Sequence, residues 1–395
     1  MVVQTNIASM NANRMLGITS GKQSKSAEKL GSGYKINRAS DDEAGLAISE
    51  KMRKQINGLD RASTNAQDGI SAAQTAEGAL GEVQSMLQRM NELAVQAANG
   101  TNSEEDRDAI QAEMEQLSNE IDRVTEYTRF NETVLLNGGE GAPISKALGA
   151  YDAGLPGELV GPNNGKYTFT PATLNEGDKI MIGGVEYEIV GTDLGNVAEN
   201  KLEIMQNQNP LADPNVYYRM QQELVAANSV GVASGVHVEP IANRNPFRFE
   251  ITPATVDVAP PTTIALHVGA TAQMSEKIVM SIEELSSRGL GVRGVDVSDA
   301  TGKAATYAID VIGHAIQSVS TQRAALGAIQ NRLEHTIANL DNVSENTSAA
   351  DSRIRDTDMA TEMVEYSKNN ILMQAGQSML AQANQVPQGV LNLLR

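Results

Sequence analysis

Three features of the 395-residue sequence invite a chemical reading: its histidines, one run of carboxylates and its glycine pairs. His237, His267, His314 and His335 could bind a metal or move protons, but none stands in the HExxH spacing that puts two imidazoles on one helical face. The stretch "ASDDEAG" (39–45) gathers Asp41, Asp42 and Glu43, the residue types of general acid–base catalysis. Ser40 followed by Glu43 is also the spacing of a capping box, in which the two side chains satisfy the free amides of a helix start, and this explains the run more simply. Glycine pairs such as Gly183-Gly184 fit turns, because no GxxxxGK[ST] pattern makes them a phosphate cradle. With no cysteine, thiolate catalysis, disulfides and Cys-based metal sites are excluded. The chain is therefore expected to be no enzyme and to need no catalytic, cofactor or metal site.

A second kind of chemistry stands at the C-terminus, where "QVPQGVLNLLR" (385–395) is strongly apolar. Burying Val386, Val390, Leu391, Leu393 and Leu394 at about 1.5–3 kcal/mol each only approaches the roughly 16 kcal/mol needed to order eleven residues. The tail should not fold alone; it docks on its own chain or on another copy. No run of about 18 apolar residues is present, so no membrane insertion is expected, and the N-terminus lacks the apolar stretch of a cleaved secretory signal. A net charge of −18 argues against nucleic acid, which requires a clustered basic surface. The first forty residues run the other way: Arg14, Lys22, Lys25, Lys29, Lys35 and Arg38 against Glu28 leave +5.

Proline divides the chain into elements. Eleven of the twelve prolines lie between Pro143 and Pro261. Since an internal proline costs a helix about 3 kcal/mol, long helices are open to the two ends and closed to the middle. In the first end Leu59, Ala62, Ala66, Ile70, Ala73, Ala76, Leu80, Val83, Leu87, Met90, Ala94 and Ala97 recur at steps of three or four. In the second, Ile312, Ala315, Val319, Gln322, Leu326, Ile329, Leu333, Thr336, Leu340 and Val343 do the same. These are coiled-coil seams that can pack on each other. Half of the first seam is alanine, which removes little area from water, so further helices should complete the bundle. Ser103 is expected to cap another helix reaching about Tyr127. In the middle, "KIMIGGVEYEIV" (179–190) reads as a hairpin, "YTFTPAT", "PFRFEITPATVDV" and "TIALHV" as further strands, and "PNVYYRMQQELVAANSV" as a helix opened by Pro214. Eight of the thirteen aromatics fall in this middle part, which should have its own core. The expected fold is mainly α: a discontinuous helical bundle or coiled coil built from both chain ends, with an inserted α+β middle domain.

The motifs "MVVQTNIASMNANR", "EKLGSGYKINRASDDEAGLAIS", "QRMNELAVQAANGTNSEEDRDAIQAE", "STQRAALGAIQNRLEHTIANL" and "QAGQSMLAQANQVPQGVLNLLR", in that order, closely resemble bacterial flagellin. The resemblance covers about 1–140 and 262–395; the middle matches no named module. It implies that 1–42 plus 353–395 form inner-tube terminal helices, disordered in the monomer. It further implies that 43–144 plus 262–352 form the helical bundle and that 145–261 is a variable, surface-exposed insert. The implied function is a structural subunit of the flagellar filament, polymerised head-to-tail as a helical homopolymer. Export would run through the flagellar type III apparatus, without a cleaved signal peptide, to the extracellular flagellum, with an export chaperone and a cap as partners. A hook–filament junction protein and a secreted adhesin are the alternatives; the closing motif favours the filament subunit.

The resemblance also implies two recognition surfaces. A flagellin-sensing host Toll-like receptor would grip Gln88, Arg89, Leu93 and Gln96 on one helix and Glu113 on the next, with Leu93 beside the seam rather than on it. The terminal Val390, Leu391, Leu393, Leu394 and Arg395 would serve both polymerisation and cytosolic flagellin receptors. The blander assignment, that these residues pack subunits together in a filament, is compatible with both.

Overall fold

The computed structural model describes residues 6–148, 150–155, 157–163, 166–171, 179–182, 185–190, 201–203, 214–229, 236–241, 248–299 and 301–393. Three helices open the chain: α1 (Ile7–Ser32), α2 (Glu43–Ala97) and α3 (Glu104–Tyr127). The strands β1 (Arg129–Phe130), β2 (Thr133–Val134), β3 (Ile144–Ala147), β4 (Gly157–Asn163), β5 (Lys166–Pro171), β6 (Lys179–Ile182), β7 (Val185–Val190) and β8 (Lys201–Glu203) follow. After helix α4 (Pro214–Asn228) come β9 (His237–Ile241), β10 (Arg248–Thr252), β11 (Thr255–Val258), β12 (Thr262–His267) and β13 (Lys277–Ile282). Two long helices, α5 (Lys303–Arg355) and α6 (Met359–Leu393), close the chain. The expected fold class is borne out: a mainly helical chain whose two ends build a bundle, with strands in the middle.

By contacts the chain divides into two compact units, one of residues 1–66, 267–277 and 335–395, the other of 67–266 and 278–334. In the first, α1 lies along α6, where the Asn6 amide donates to the Ala383 carbonyl at 2.7 Å and Ser9 donates to Asn384 at 2.7 Å. Gly33 ends α1 with φ +76°, a left-handed conformation open to glycine. The link after it pairs with the link between α5 and α6: Lys35 N donates to Arg355 O at 2.6 Å and Thr357 N to Gly33 O at 3.0 Å. The Arg355 guanidinium covers the Tyr34 ring at 4.9 Å and reaches Glu50 at 2.9 Å. Lys29, from the basic N-terminal arm, approaches Glu362 at 3.7 Å. Here α2 and α5 run antiparallel, with Ser63 bonded to Asp341 and Ser344 to Asp60, around a small core of Leu59, Ala62 and Leu340.

The second unit carries the main core. Ala73, Ala76, Leu80, Val83, Leu87, Met90, Ala94 and Ala97 of α2 face Ile312, Ala315, Val319 and Leu326 of α5, so both seams stand as expected in this unit. Not every seam position is sealed: Ile70, Gln322 and Ile329 are half-buried, and Val343, in the first unit, is 37% exposed. The area missing from the alanine-rich seam comes from Ile110, Met114 and Ile121 of α3 and from Leu285, Leu290, Val292, Val295 and Val297. That last group lies in the irregular segment after β13. Glycine at positive φ at 291, 294 and 302 breaks any helix there, and Asp122 and Gln111 of α3 hold the irregular backbone through Ser287 and Val297.

Helix caps divide the same way. Ser103 caps α3 in a reciprocal box with Asp106. At α2 the expected cap Ser40 is replaced by Asp42, whose carboxylate accepts from Gly45 N at 2.9 Å. The helix starts later than expected because Asp41 is spent on the preceding turn, accepting from Arg38 N at 3.1 Å. The C-terminal carbonyls of α2 are met by a buried cation: Arg107 donates to Ala97 O at 2.9 Å and Asn99 O at 3.3 Å.

In the middle, β4-β5-β10-β9 form a four-stranded antiparallel sheet. Phe169 and Phe249 stand opposite each other, rings 6.3 Å apart, and α4 adds Met220 and Leu224. The hairpin β6–β7 has the expected register, with Ile182 opposite Val185; its turn residues Gly183 and Gly184, and Phe247, lie outside the described residues. This middle part is tied to the bundle: the Tyr151 ring meets His314 of α5 edge-on at 5.0 Å, and Tyr307 of α5 bonds Glu223 of α4.

Candidate assembly and recognition surfaces

The paired chain ends leave a broad apolar surface uncovered. On α1, Ile7, Met10, Met15 and Ile18 are exposed; on α6, Met359, Met363, Val364, Ile371, Leu372 and Met379 are exposed. The exposed apolar positions of α1 fall within one arc of the helix, while Ser9, Ala12, Leu16 and Thr19 between them are half-buried. Val390, Leu391 and Leu393 stand on the last turns of α6, with side chains outside the described residues, as are Leu394 and Arg395 altogether.

On the bundle, Arg89 and Glu113 are brought together. Arg89, side chain 49% exposed, pairs with Glu113 at 2.9 Å and with Glu92 of its own helix at 3.2 Å. Glu113 first and Glu92 second raise the guanidinium pKa above its usual value, so it is a fixed cation. Gln88 and Gln96 are exposed on the same helix. Leu93 corrects an expectation: it is 2% exposed and belongs to the main core. The alanine-rich seam is wide enough to draw in the residue beside it, since α3 packs over that flank of α2. Glu92, which holds Arg89 from within the helix, was not singled out in the sequence, although its i,i+3 spacing was available.

The histidines do not converge. His237 bonds Glu239, His314 packs on Tyr151, and the His267 carbonyl accepts from Asn65. Among the described residues no group of three His, Asp or Glu could hold a metal ion, and no helix is long and apolar enough to cross a membrane.

Paired helices from opposite ends of one chain with many exposed apolar side chains, and long helical seams without a converging catalytic or metal cluster among the described residues, point to the class of structural proteins. Comparison gives that class its family. Residues 3–140 match the bacterial flagellin N-terminal helical region and 309–394 the bacterial flagellin C-terminal helical region. A flagellin of Clostridium tyrobutyricum is 42% identical over 98% of this chain and all of its own length. A flagellin of Halalkalibacterium halodurans is 38% identical over the whole of both chains, and polar flagellin B/D of Vibrio parahaemolyticus is 37% identical over 99% of each. The chain belongs to the flagellin family, and is thus a structural subunit of the flagellar filament rather than an enzyme.

Proposed function

We propose that this subunit is exported unfolded through the flagellar type III apparatus and adds head-to-tail beneath a cap, its α1–α6 pair entering the inner tube of the filament. The observation that carries this reading is the set of exposed apolar side chains along α1 and α6, which contact with another copy would cover. In the free subunit 1–42 and 353–395 are disordered, and an export chaperone holds the C-terminal segment; they order as helices on assembly, when neighbours supply the missing burial. Seeding purified subunit with filament fragments should give smooth filaments by electron microscopy. Deleting 385–395 should abolish growth while leaving the thermal midpoint of the remaining bundle unchanged. Growth of the truncated chain at the normal rate refutes the assembly role of the tail.

The exposed Arg89–Glu113–Glu92 cluster, flanked by Gln88 and Gln96, also supports recognition by a flagellin-sensing Toll-like receptor, with Leu93 contributing through the packing beneath it. A guanidinium already held in place loses little freedom on binding, which suits a hot spot. Surface plasmon resonance on an immobilised receptor ectodomain should show Arg89→Ala weaker by about 2 kcal/mol or more, with unchanged circular dichroism. Equal binding by the folded variant removes this site. The terminal Val390, Leu391, Leu393, Leu394 and Arg395 are proposed as the part read by cytosolic flagellin receptors.

A further inference from the structure

The sixteen methionines are the only sulfur-bearing side chains in a chain without cysteine, and among the described ones exposure runs from buried through half-buried Met52, Met86 and Met373 to exposed. Met90, Met114, Met220 and Met280 are buried, none more than 1% exposed. Met10 and Met15 of α1 and Met359, Met363 and Met379 of α6 are between 48% and 64% exposed. They stand on the uncovered surface with Ile7, Ile18, Val364 and Ile371.

We infer that these five methionines are an oxidation site of the free subunit, and that their conversion to sulfoxide by a peroxide blocks polymerisation without unfolding the bundle. A thioether lone pair attacks one peroxide oxygen and the O–O bond breaks. The sulfur is oxidised by two electrons to the sulfoxide, and the departing hydroxide takes a proton to leave as water. The reaction requires access to sulfur, which the exposed five offer and the buried four do not. Its product is polar and chiral, so it resists burial against a neighbouring subunit where a thioether would pack. Subunits already in a filament are shielded by the same contact, so the block acts on new subunits and spares existing filament. A methionine sulfoxide reductase, which returns the thioether, would reverse it.

The inference rests on α1 and α6 being the assembly face, and the test separates the two. Free subunit is treated with hydrogen peroxide, its sulfoxides are mapped by peptide mass spectrometry, and seeded elongation is followed by light scattering, with circular dichroism reporting the bundle. The same is done for the combined variant Met10→Leu, Met15→Leu, Met359→Leu, Met363→Leu and Met379→Leu, in which volume and apolarity are kept. Met274, exposed in the turn before β13, stays in this variant and reports oxidation away from the two helices. Expected are sulfoxides at the five positions, elongation slower by on the order of tenfold, unchanged helicity, restoration by the reductase, and normal elongation of the peroxide-treated leucine variant. Oxidised wild type that elongates at its untreated rate overturns the inference, as does a treated leucine variant slowed as much as wild type, or an absence of sulfoxide at the five. If the leucine variant does not elongate even untreated, rescue of wild type by the reductase decides alone. Untreated wild type that fails to extend the seeds overturns the assembly face itself, whatever peroxide does.

Discussion

At the scale of single residues, burial decides roles that spacing leaves open. Arg89 and Leu93 stand four apart, yet one side chain is in water with two carboxylates and the other is sealed in the core. Leu93→Ala should therefore cost about 2–5 kcal/mol of bundle stability in chemical denaturation, so loss of receptor binding in that variant would report folding as much as contact. Asp310 of α5 supplies a pH test. Its side chain is exposed, yet partial desolvation, and then the charge of Asp152, raise its carboxyl above the ordinary 3.8, while His314 pulls it down. A carboxyl with a raised native pKa stabilises the fold fully below its unfolded value and loses that contribution as pH rises through the native one. Asp310→Asn should thus raise the thermal midpoint at pH 7, and the advantage should vanish below about pH 4. An equal gain at every pH would show that ionisation is not its source.

At the scale of elements, the middle part depends on one buried amide. Asn228, at the end of α4, accepts from Tyr151 N at 2.8 Å and donates to Tyr151 O at 2.9 Å and Leu224 O at 2.7 Å. It latches the strand-entry segment onto the helix, and through Tyr151 onto His314. Asn228→Ala leaves those backbone groups unpaired at about 1–3 kcal/mol each. Amide exchange at 150–155 should accelerate while exchange in α2 and α5 stays slow; unchanged exchange at Tyr151 would show that the latch is dispensable. No sequence pattern marks this asparagine as a latch, since Tyr151 lies 77 residues away.

At the scale of the molecule, the insert proves more integrated than a loop carried by the bundle. Tyr151 and Ala227 belong to the main core, and the β3–β11 ribbon closes with Leu148 N bonded to Ala254 O at 3.0 Å. Excision of 149–253 with a short Gly/Ser turn keeps that ribbon and both seams. Helix content and filament growth should survive, while unfolding free energy falls by roughly the 1.5–3 kcal/mol of one large buried side chain, read by chemical denaturation. An unfolded product would show that the insert is needed to fold the bundle.

The sequence by itself determined what depends on neighbours a few residues apart. Three- and four-residue steps set the seams of α2 and α5, proline confined helices to the ends, and Ser103 and Pro214 opened α3 and α4. Only the tertiary structure decided the rest. The irregular 285–297 fills the bundle core because the alanine-rich seam leaves room that no helix of its own glycine-rich composition could occupy. The β1–β2 turn places Asn131 and Glu132 at φ 45° and 69°, without the glycine that announces such a turn. Asp42 rather than Ser40 caps α2 because Asp41 is drawn into the turn before it. Leu93 is core because α3, arriving from further along the chain, covers it, and no local pattern records which helix will arrive.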